Sequence, residues 1–322
     1  MRATALYPLK LKPTLHVKVW GGCRLKTHLN KTLPTDEPYG ESWELHDTSI
    51  VINGPLAGKS LRELTRTCGV ELIGSGNDPQ AGFPLLAKFI DADQWLSIQV
   101  HPNDQQALEL EGEPRGKTEA WIVVHAEQGA RLVAGARPGT SRDEVAQAIR
   151  GNRLEELVRY AAVRNGDALS IPANTLHALG PGLLIYEIQQ SSDTTYRLYD
   201  WNRRGLDGQP RQLHIDKGLQ VADLDHAPNV RRPASDLIVD GEHFKTWRHE
   251  LMQDVRTVKT GGAFQALTCL EGAIEASVAG CPAITLAKGE TGLIPACFDE
   301  FALNGVGTVL RSCQPGPQSP PE

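Results

Sequence analysis

The sequence predicts a mainly β protein built from two copies of one barrel unit, the first carrying a helical insertion and the second degenerate. Three observations carry this expectation: short β-rich runs bounded by Gly, Pro, Asn and Asp, an internal repeat of spacings, and helix-entry signals confined to a few places. At 322 residues the chain is about twice a usual domain of roughly 100 to 200, long enough for two cores. The expected boundaries are 1–220 for a first domain with N-terminal strands and a helical insertion at about 138–165, and 221–312 for a second domain. A Pro-rich tail at 313–322, CQPGPQSPPE, should be disordered.

Taken in order, SIVINGPLAG reads as strand and turn, and SLRELTRTCG as a helix entered through a capping box from Ser60 to Glu63. LSIQVHPND is a strand, followed by a short helix in NDQQALELEG capped by Asn103 or Asp104. AWIVVHAEQGARLVAG is a hairpin, and SRDEVAQAIRGNRLEELVRYAAV reads as helix from a second box, Ser141 to Glu144, through Val163. DALSIPANTLHALGPGLLIYEI, AFQALTCLEGAIEASVAG and AITLAKGETGLIPA return to strands.

The repeat can be counted. In GDALSIPANTLH, Gly166, Pro172 and His177 stand at the offsets of Gly289, Pro295 and Glu300 in GETGLIPACFDE. Each is preceded by a hairpin-like run, with Gly129 and Gly272 at the turns, and the first copy holds 20 more residues between the two glycines. The extra length falls on the helical stretch. Gly and Pro punctuate β turns everywhere, so it is the agreement of the hairpins that favours duplication.

Composition narrows the function. A net charge of −6, with 22% charged and 40% hydrophobic residues, argues against a nucleic-acid or membrane surface as partner. The N-terminus lacks the unbroken apolar run of a signal peptide and no stretch reaches membrane-span length, so a cytoplasmic location is expected. Cys23, Cys68, Cys269, Cys281, Cys297 and Cys313 form no C-x-x-C pair and read as reduced thiols.

Within LSIQVHP, Gln99 and His101 are two apart on a strand, so they share a face while Ile98 and Val100 take the other. Glu119 in GKTEAW and His177 are the best candidates to join them inside a barrel. An amide oxygen, a carboxylate and two imidazoles suit Zn²⁺, with Mn²⁺, Fe²⁺ and Co²⁺ also matching, and one carboxylate leaves such a site with net charge +1. The plainer readings are a turn histidine before Pro-Asn-Asp, a glutamine satisfying backbone and a surface glutamate. Glu300 replaces the histidine in the second copy, so one metal per chain is expected. The remaining histidines, His125, His214, His226, His243 and His249 among them, have no comparable frame.

The spacing G-x5-P-x4-H resembles the second motif of the cupin superfamily, whose small jelly-roll barrels often hold a metal. The runs PYGESWELHDTSIVINGPLAGKSL, FPLLAKFIDADQWLSIQVHPND, GKTEAWIVV and IPANTLHALGPGLLIYEIQQSSDTTYRLYDWNR, with the weaker C-terminal repeat, resemble type I mannose-6-phosphate isomerases of the short bacterial kind. The resemblance spans about residues 5 to 305. It implies two cupin-type barrels, one zinc ion on Gln99, His101, Glu119 and His177, and interconversion of mannose 6-phosphate and fructose 6-phosphate. It further implies active-site roles for Lys117, Arg197 and Glu187. Their plainer readings are a solvated charge in a Gly-rich turn, a surface partner of Asp193 or Asp200, and an inward side chain by alternation alone. Two departures are His125 and Ala126 in AWIVVHAEQG, and two arginines, Arg203 and Arg204, where one is usual.

The chemistry so implied moves a proton between C2 and C1 of the open sugar and must stabilise an enediolate. Zinc would polarise the sugar oxygens, Lys117 and Arg197 would meet negative charge on the enediolate or phosphate, and Glu187 or a water on the metal would relay the proton. Arg203 and Arg204 are further phosphate candidates, since a guanidinium fork matches phosphate oxygens. The rivals are a cupin Fe(II) oxygenase, against which a fourth ligand from Gln99 counts, and a non-catalytic sugar-binding cupin, which solvent-facing Lys117 and Arg197 would favour. Phosphate requirement, preferred aldose and oligomeric state stay open.

Overall fold

The three capping signals lie where helices begin: in the computed structural model, which describes residues 6–316, Ser60, Asn103 and Ser141 each accept from the backbone three residues on. The reciprocal bonds from Glu63, Gln106 and Glu144 complete all three boxes, and Asn103, rather than Asp104, is the cap of its helix.

The described chain runs β1 (Leu9–Lys12), β2 (Thr14–Gly22), α1 (Arg24–Leu29), β3 (Tyr39–Leu45), β4 (Ile50–Val51), α2 (Leu61–Cys68), α3 (Val70–Ile73), β5 (Leu85–Ala92), β6 (Ile98–Val100) and α4 (Asp104–Glu111). It continues through β7 (Glu119–Ala126), β8 (Arg131–Ala136), α5 (Arg142–Arg150), β9 (Val158–Ala162), β10 (Ala168–Ile171), β11 (His177–Leu179), β12 (Leu183–Gln190), β13 (Tyr196–Tyr199) and α6 (Ile215–Val221). The rest is β14 (Leu237–Asp240), β15 (Lys245–Met252), β16 (Arg256–Lys259), β17 (Gln265–Ser277), β18 (Ile284–Ala287), β19 (Thr291–Ile294) and β20 (Glu300–Cys313). None of these helices is long and apolar enough to cross a membrane.

The first unit is two antiparallel sheets, ordered β10-β7-β12-β5-β3-β2 and β13-β6-β11-β8-β9. Alternation decides which side chains meet between them. On β12, Leu184, Tyr186 and Ile188 enter a core shared with Phe244, Phe264 and Leu310 of the second unit, while Leu183 and Ile185 face Leu132, Ala134 and Leu179 of the opposite sheet. Lys88, Glu119 and Glu187 are in phase with the inward set on β5, β7 and β12, so strand geometry carries three charges into the barrel.

The second unit, in one sheet with β1 and β4, repeats the pairings of the first. Glu119 on β7 is opposite Ile171 on β10, and Gln265 on β17 is opposite Ile294 on β19; Glu187 is opposite Trp121 and Lys88, and Arg311 is opposite Leu267 and Trp247. Gly166 and Gly289 take matching left-handed φ of 83° and 81°. Gln265, Arg311 and Trp247 therefore occupy the places of Glu119, Glu187 and Lys88. Glu300 heads β20, exposed.

Three expectations are corrected. The stretch from Ser141 to Val163 is α-helical only as far as Arg150; Asn152 turns left-handed at φ 60°, a single 3-10 turn follows at Leu154–Glu156, and Val158–Ala162 pairs with β8, burying Val158. Pairing to a neighbouring strand there outweighs local helical pattern. Gly272 is no hairpin turn but part of the continuous strand β17, which bulges between Cys269 and Glu271. Cys313 is buried at the end of β20 and so belongs to the fold, while 317–322 of the expected tail lie outside the described residues.

Candidate active site

β6 and β11 lie side by side with Gln99 directly opposite His177, His101 follows β6, and Glu119 opens β7. His101 Nδ1 meets the Thr194 carbonyl at 2.9 Å and His177 Nδ1 meets the Thr175 carbonyl at 2.8 Å. A carbonyl only accepts, so each ring keeps its proton on Nδ1 and turns an Nε2 lone pair inward. The two Nε2 atoms are 3.1 Å apart, and Glu119 reaches them at 3.4 Å and 3.3 Å through its two oxygens.

The Gln99 amide lies 3.3 Å from His177 Nε2. Both Glu119 oxygens are buried without a hydrogen-bond partner. Burial, then Lys117, pushes His101 down to about 3, and burial lowers His177, so both imidazoles are neutral. Burial opposes the Glu119 charge, but the Lys117 ammonium outweighs it and holds that carboxyl well below its ordinary range. Two lone pairs and an orphaned carboxylate thus face one point, a set that suits a divalent cation of borderline character, with the Gln99 amide beside it and its Oε1 accepting from Ser97 Oγ at 3.3 Å. His101, Glu119 and His177 are each 1% exposed, which makes the turn-histidine and surface-glutamate readings untenable.

Lys117 stands at the edge of this group, its Nζ 3.1 Å from His101 Nε2 and 3.3 Å from Glu119. It precedes β7 and is held by backbone, its N–H donating to the Pro102 carbonyl at 3.0 Å. At 4% exposure it is no solvated turn charge. Glu187 takes the Trp121 indole N–H at 2.7 Å and pairs with Lys88 Nζ at 2.9 Å. Burial and the like charge of Glu119 raise the Glu187 pKa against the pull of Lys88.

Gln99, His177, Lys117, Lys88 and Glu187 line a cavity of about 310 Å³ that also takes in Lys18, Glu41, Asp193, Arg197 and Arg211. Arg197 is paired with neither Asp193 nor Asp200; its Nη1 donates to the Gln212 carbonyl at 2.9 Å, and β13 carries it directly across from Gln99. Arg203 and Arg204 do not reach the cavity. Arg203 is spent on Asp200 at 2.6 Å and the Trp95 carbonyl at 2.6 Å, and Arg204 on the Gly208 carbonyl at 2.7 Å. The match of a guanidinium fork to phosphate oxygens made both candidates, but Asp200 and the Trp95 and Gly208 carbonyls hold them away from the cavity.

Sequence reasoning missed Lys88, Glu41 and Arg211. A lysine in phase with Ile90 and Ala92 in the apolar run LLAKFIDA is a signal that could have found Lys88. Arg211 has none: its place depends on Asp200, 11 residues away and across a turn.

The family model for the phosphomannose isomerase type I catalytic domain matches residues 8–115. The chain is 34% identical to the mannose-6-phosphate isomerase of Streptococcus mutans over 317 residues, covering 95% of this chain and 98% of that protein. It is similar to the crystal structure of the mannose 6-phosphate isomerase from Bacillus subtilis, with TM-score 0.84 and 31% identity over 95% of this chain and 99% of that one. A zinc-bound mannose 6-phosphate isomerase shares the fold at TM-score 0.75 and 16% identity, over 96% of this chain and 100% of that one.

Proposed function

The chain belongs to the type I mannose-6-phosphate isomerase family, and from that membership we propose that its buried site interconverts mannose 6-phosphate and fructose 6-phosphate. The observation that carries the reading is the convergence of His101, Glu119, His177 and Gln99 on one point in a cavity lined by Lys88, Lys117 and Arg197.

We read the cation as zinc, one per chain, held by Gln99, His101, Glu119 and His177. The donor set supports that choice, as does the zinc in the structural neighbour, and Gln265 and Glu300 in the second unit give no histidine pair to match. Zinc there would supply Lewis-acid polarisation of a sugar oxygen.

The chain's own groups do the rest. The reaction takes a proton from C2 of the aldose and returns one to C1, so charge builds on the oxygens of an enediolate. Lys117, buried beside the ligand group, stands ready to donate to such an oxygen. Glu187 is the proton carrier in this reading: its carboxyl is raised by burial and oriented by Trp121, and Lys88 beside it offsets the charge it gains on ionising. Arg197 holds the substrate from β13, where a guanidinium meets anionic oxygens in a fork. Buried apolar neighbours such as Trp121 and Ile90 keep bulk water from the reacting carbons.

The non-catalytic reading required Lys117 and Arg197 to face solvent, whereas both line the cavity. A fourth ligand from Gln99 would occupy a position that an oxygenase keeps open for oxygen. A cytoplasmic location fits the six free cysteines.

The test is to assay isomerisation of mannose 6-phosphate as purified, after chelation, and after restoring Zn²⁺. Activity should fall by at least two orders of magnitude on chelation and return with the metal. A chain that binds Zn²⁺ and isomerises nothing would overturn the reading.

A further inference from the structure

The face of the first unit's six-stranded sheet that is turned away from the cavity carries a run of buried hydroxyls shared with the second unit. Register sets two rows side by side across β3, β5 and β12: Trp43, Lys88 and Glu187 toward the cavity, and Ser42, Phe89 and Tyr186 on the other face. Ser42, Glu44 and Tyr186 are 0% exposed, as are Thr246, Thr268 and Ser312 of the second unit, and Thr291 is 1% exposed. Glu44 Oε1 accepts from Ser42 Oγ at 2.6 Å and from Lys31 Nζ at 2.5 Å, and its Oε2 accepts from Thr291 Oγ1 at 3.1 Å. Thr291 and Thr268 are 3.0 Å apart, Tyr186 and Ser312 are 3.2 Å apart, Ser312 and Thr246 are 2.9 Å apart, and Thr268 also bonds the Tyr186 phenol.

A hydroxyl has one proton to give, so the direction of every bond follows from the carboxylate end. Thr291 gives its proton to Glu44 and must accept from Thr268; Thr268 in turn accepts from the Tyr186 phenol, Tyr186 from Ser312, and Ser312 from Thr246. The hydroxyls thus all point one way, from β15 through β20, β12, β17 and β19 to Glu44 on β3. Burial pushes the Tyr186 phenol up to about 12, so it keeps the proton that the chain needs. A buried network in which every member is satisfied is stiff, and deleting one hydroxyl leaves its neighbour without a partner. Glu187 follows Tyr186 on β12, and Glu41 precedes Ser42 on β3, so the groups that reach the cavity share a backbone with the groups held from behind.

We propose that the second unit is a positioning element for the reaction in the first: Thr268, Thr291 and Ser312, acting through Glu44 and Tyr186, fix β3 and β12 and so set where Glu41 and Glu187 stand in the cavity. Glu44 and Tyr186 are positioning residues, since neither faces the cavity. The assignment rests on the isomerase reading for the task that Glu187 performs, and on the hydroxyl chain for the device that holds it. It gives the degenerate copy a use that needs no metal and no substrate of its own.

The test uses the zinc-loaded full chain and its Tyr186→Phe and Thr291→Val variants, with metal content and melting temperature measured for each. Both remove one hydroxyl and keep the shape of the side chain, and either one serves if the other fails to fold. Steady-state kinetics separate kcat from KM for mannose 6-phosphate, and NMR follows the indole N–H signals of Trp121, which donates to Glu187 at 2.7 Å, and of Trp43, which donates to Glu41 at 2.9 Å. A displacement of the reacting group by about 1 Å should lower kcat by roughly 10- to 100-fold while KM stays within about threefold. The Trp121 signal should move in Tyr186→Phe and the Trp43 signal in Thr291→Val, with the Trp201 indole, bonded to the Leu96 carbonyl, unmoved in both. A folded variant with kcat within about twofold of wild type, or with its indole signal in place, overturns the positioning role, whatever its melting temperature. A wild-type chain that isomerises no sugar phosphate overturns the isomerase reading, and the hold on Glu41 and Glu187 then stands or falls on the indole signals.

Discussion

Glu119 and Glu187 lie on neighbouring strands, both buried, yet their carboxyls are driven in opposite directions. Glu119 is held ionised by Lys117 against the cost of burial; Glu187 is raised by burial and by the charge on Glu119 itself. The division of labour follows from neighbours, because the residue type is the same. Glu187→Gln keeps the shape and the contact region of Lys88 and Trp121 while removing the proton site. Turnover of mannose 6-phosphate should fall by about 10² to 10⁴ with zinc content unchanged, measured by steady-state kinetics and metal analysis on the same sample. Activity within a few-fold of wild type would assign the proton to another group.

At the scale of elements, the segment between α4 and β7 sets the site's tolerance. Gly116 donates its N–H to Asp104 Oδ1 at 2.7 Å, Lys117 donates to the Pro102 carbonyl, and the Thr118 N–H donates to Gln190 Oε1 at 2.9 Å. A Cβ on Gly116 would stand 2.4 Å from the backbone carbon of Asn103 and 2.6 Å from the Pro102 carbonyl oxygen, so the 102–104 segment after His101 would have to move. Gly116→Ala should cost on the order of 1–3 kcal/mol of stability and weaken zinc binding as His101 and Glu119 separate, read by denaturant unfolding and by metal titration. Unaltered zinc affinity would show that the two ligands are positioned independently of this loop.

For the whole molecule, duplication supplied two barrels and chemistry was kept in one. Where Lys88 faces Glu187 in the first unit, Trp247 in the second faces Arg311, whose guanidinium lies 3.6 Å from the indole ring centre and donates to Gln265 Oε1 at 2.7 Å. That interior is satisfied by its own groups and has no carboxylate in the place of Glu119. The first interior keeps its charge, and with it a pH-dependent stability. Burial opposes ionisation of Glu41, but Lys88 and Lys18 pull its pKa down to about 2 from an ordinary 4.5. Above pH 4.5 folded and unfolded chains are both ionised there and the contribution is complete; as pH falls from 4.5 toward 2 the unfolded chain takes up a proton that the fold refuses, and stability is lost. The total at stake is roughly 3 kcal/mol, and Glu41→Gln should flatten the acid limb of unfolding free energy by about one proton over that window. An acid limb identical to wild type would remove Glu41 from it.

What could be read from the chain alone was whatever local rules govern. Capping boxes declare helix starts because their partners are three residues apart; alternation declares Gln99 and His101 inward because a strand has period two; and the offsets from Gly166 to His177 recur at Gly289 because both serve the same turn. Val158–Ala162 as strand, the bulge before Gly272, and the directions of Arg203 and Arg211 were decided by tertiary partners: a neighbouring strand, the Trp95 carbonyl, and one carboxylate shared by two guanidiniums. A side chain's direction out of a loop depends on which opposite charge it reaches first, and that is a property of the folded molecule. So the convergence of Gln99, His101, Glu119 and His177 was legible in short-range patterns, whereas the pairing of Arg211 with Asp200 came into view only in the folded molecule.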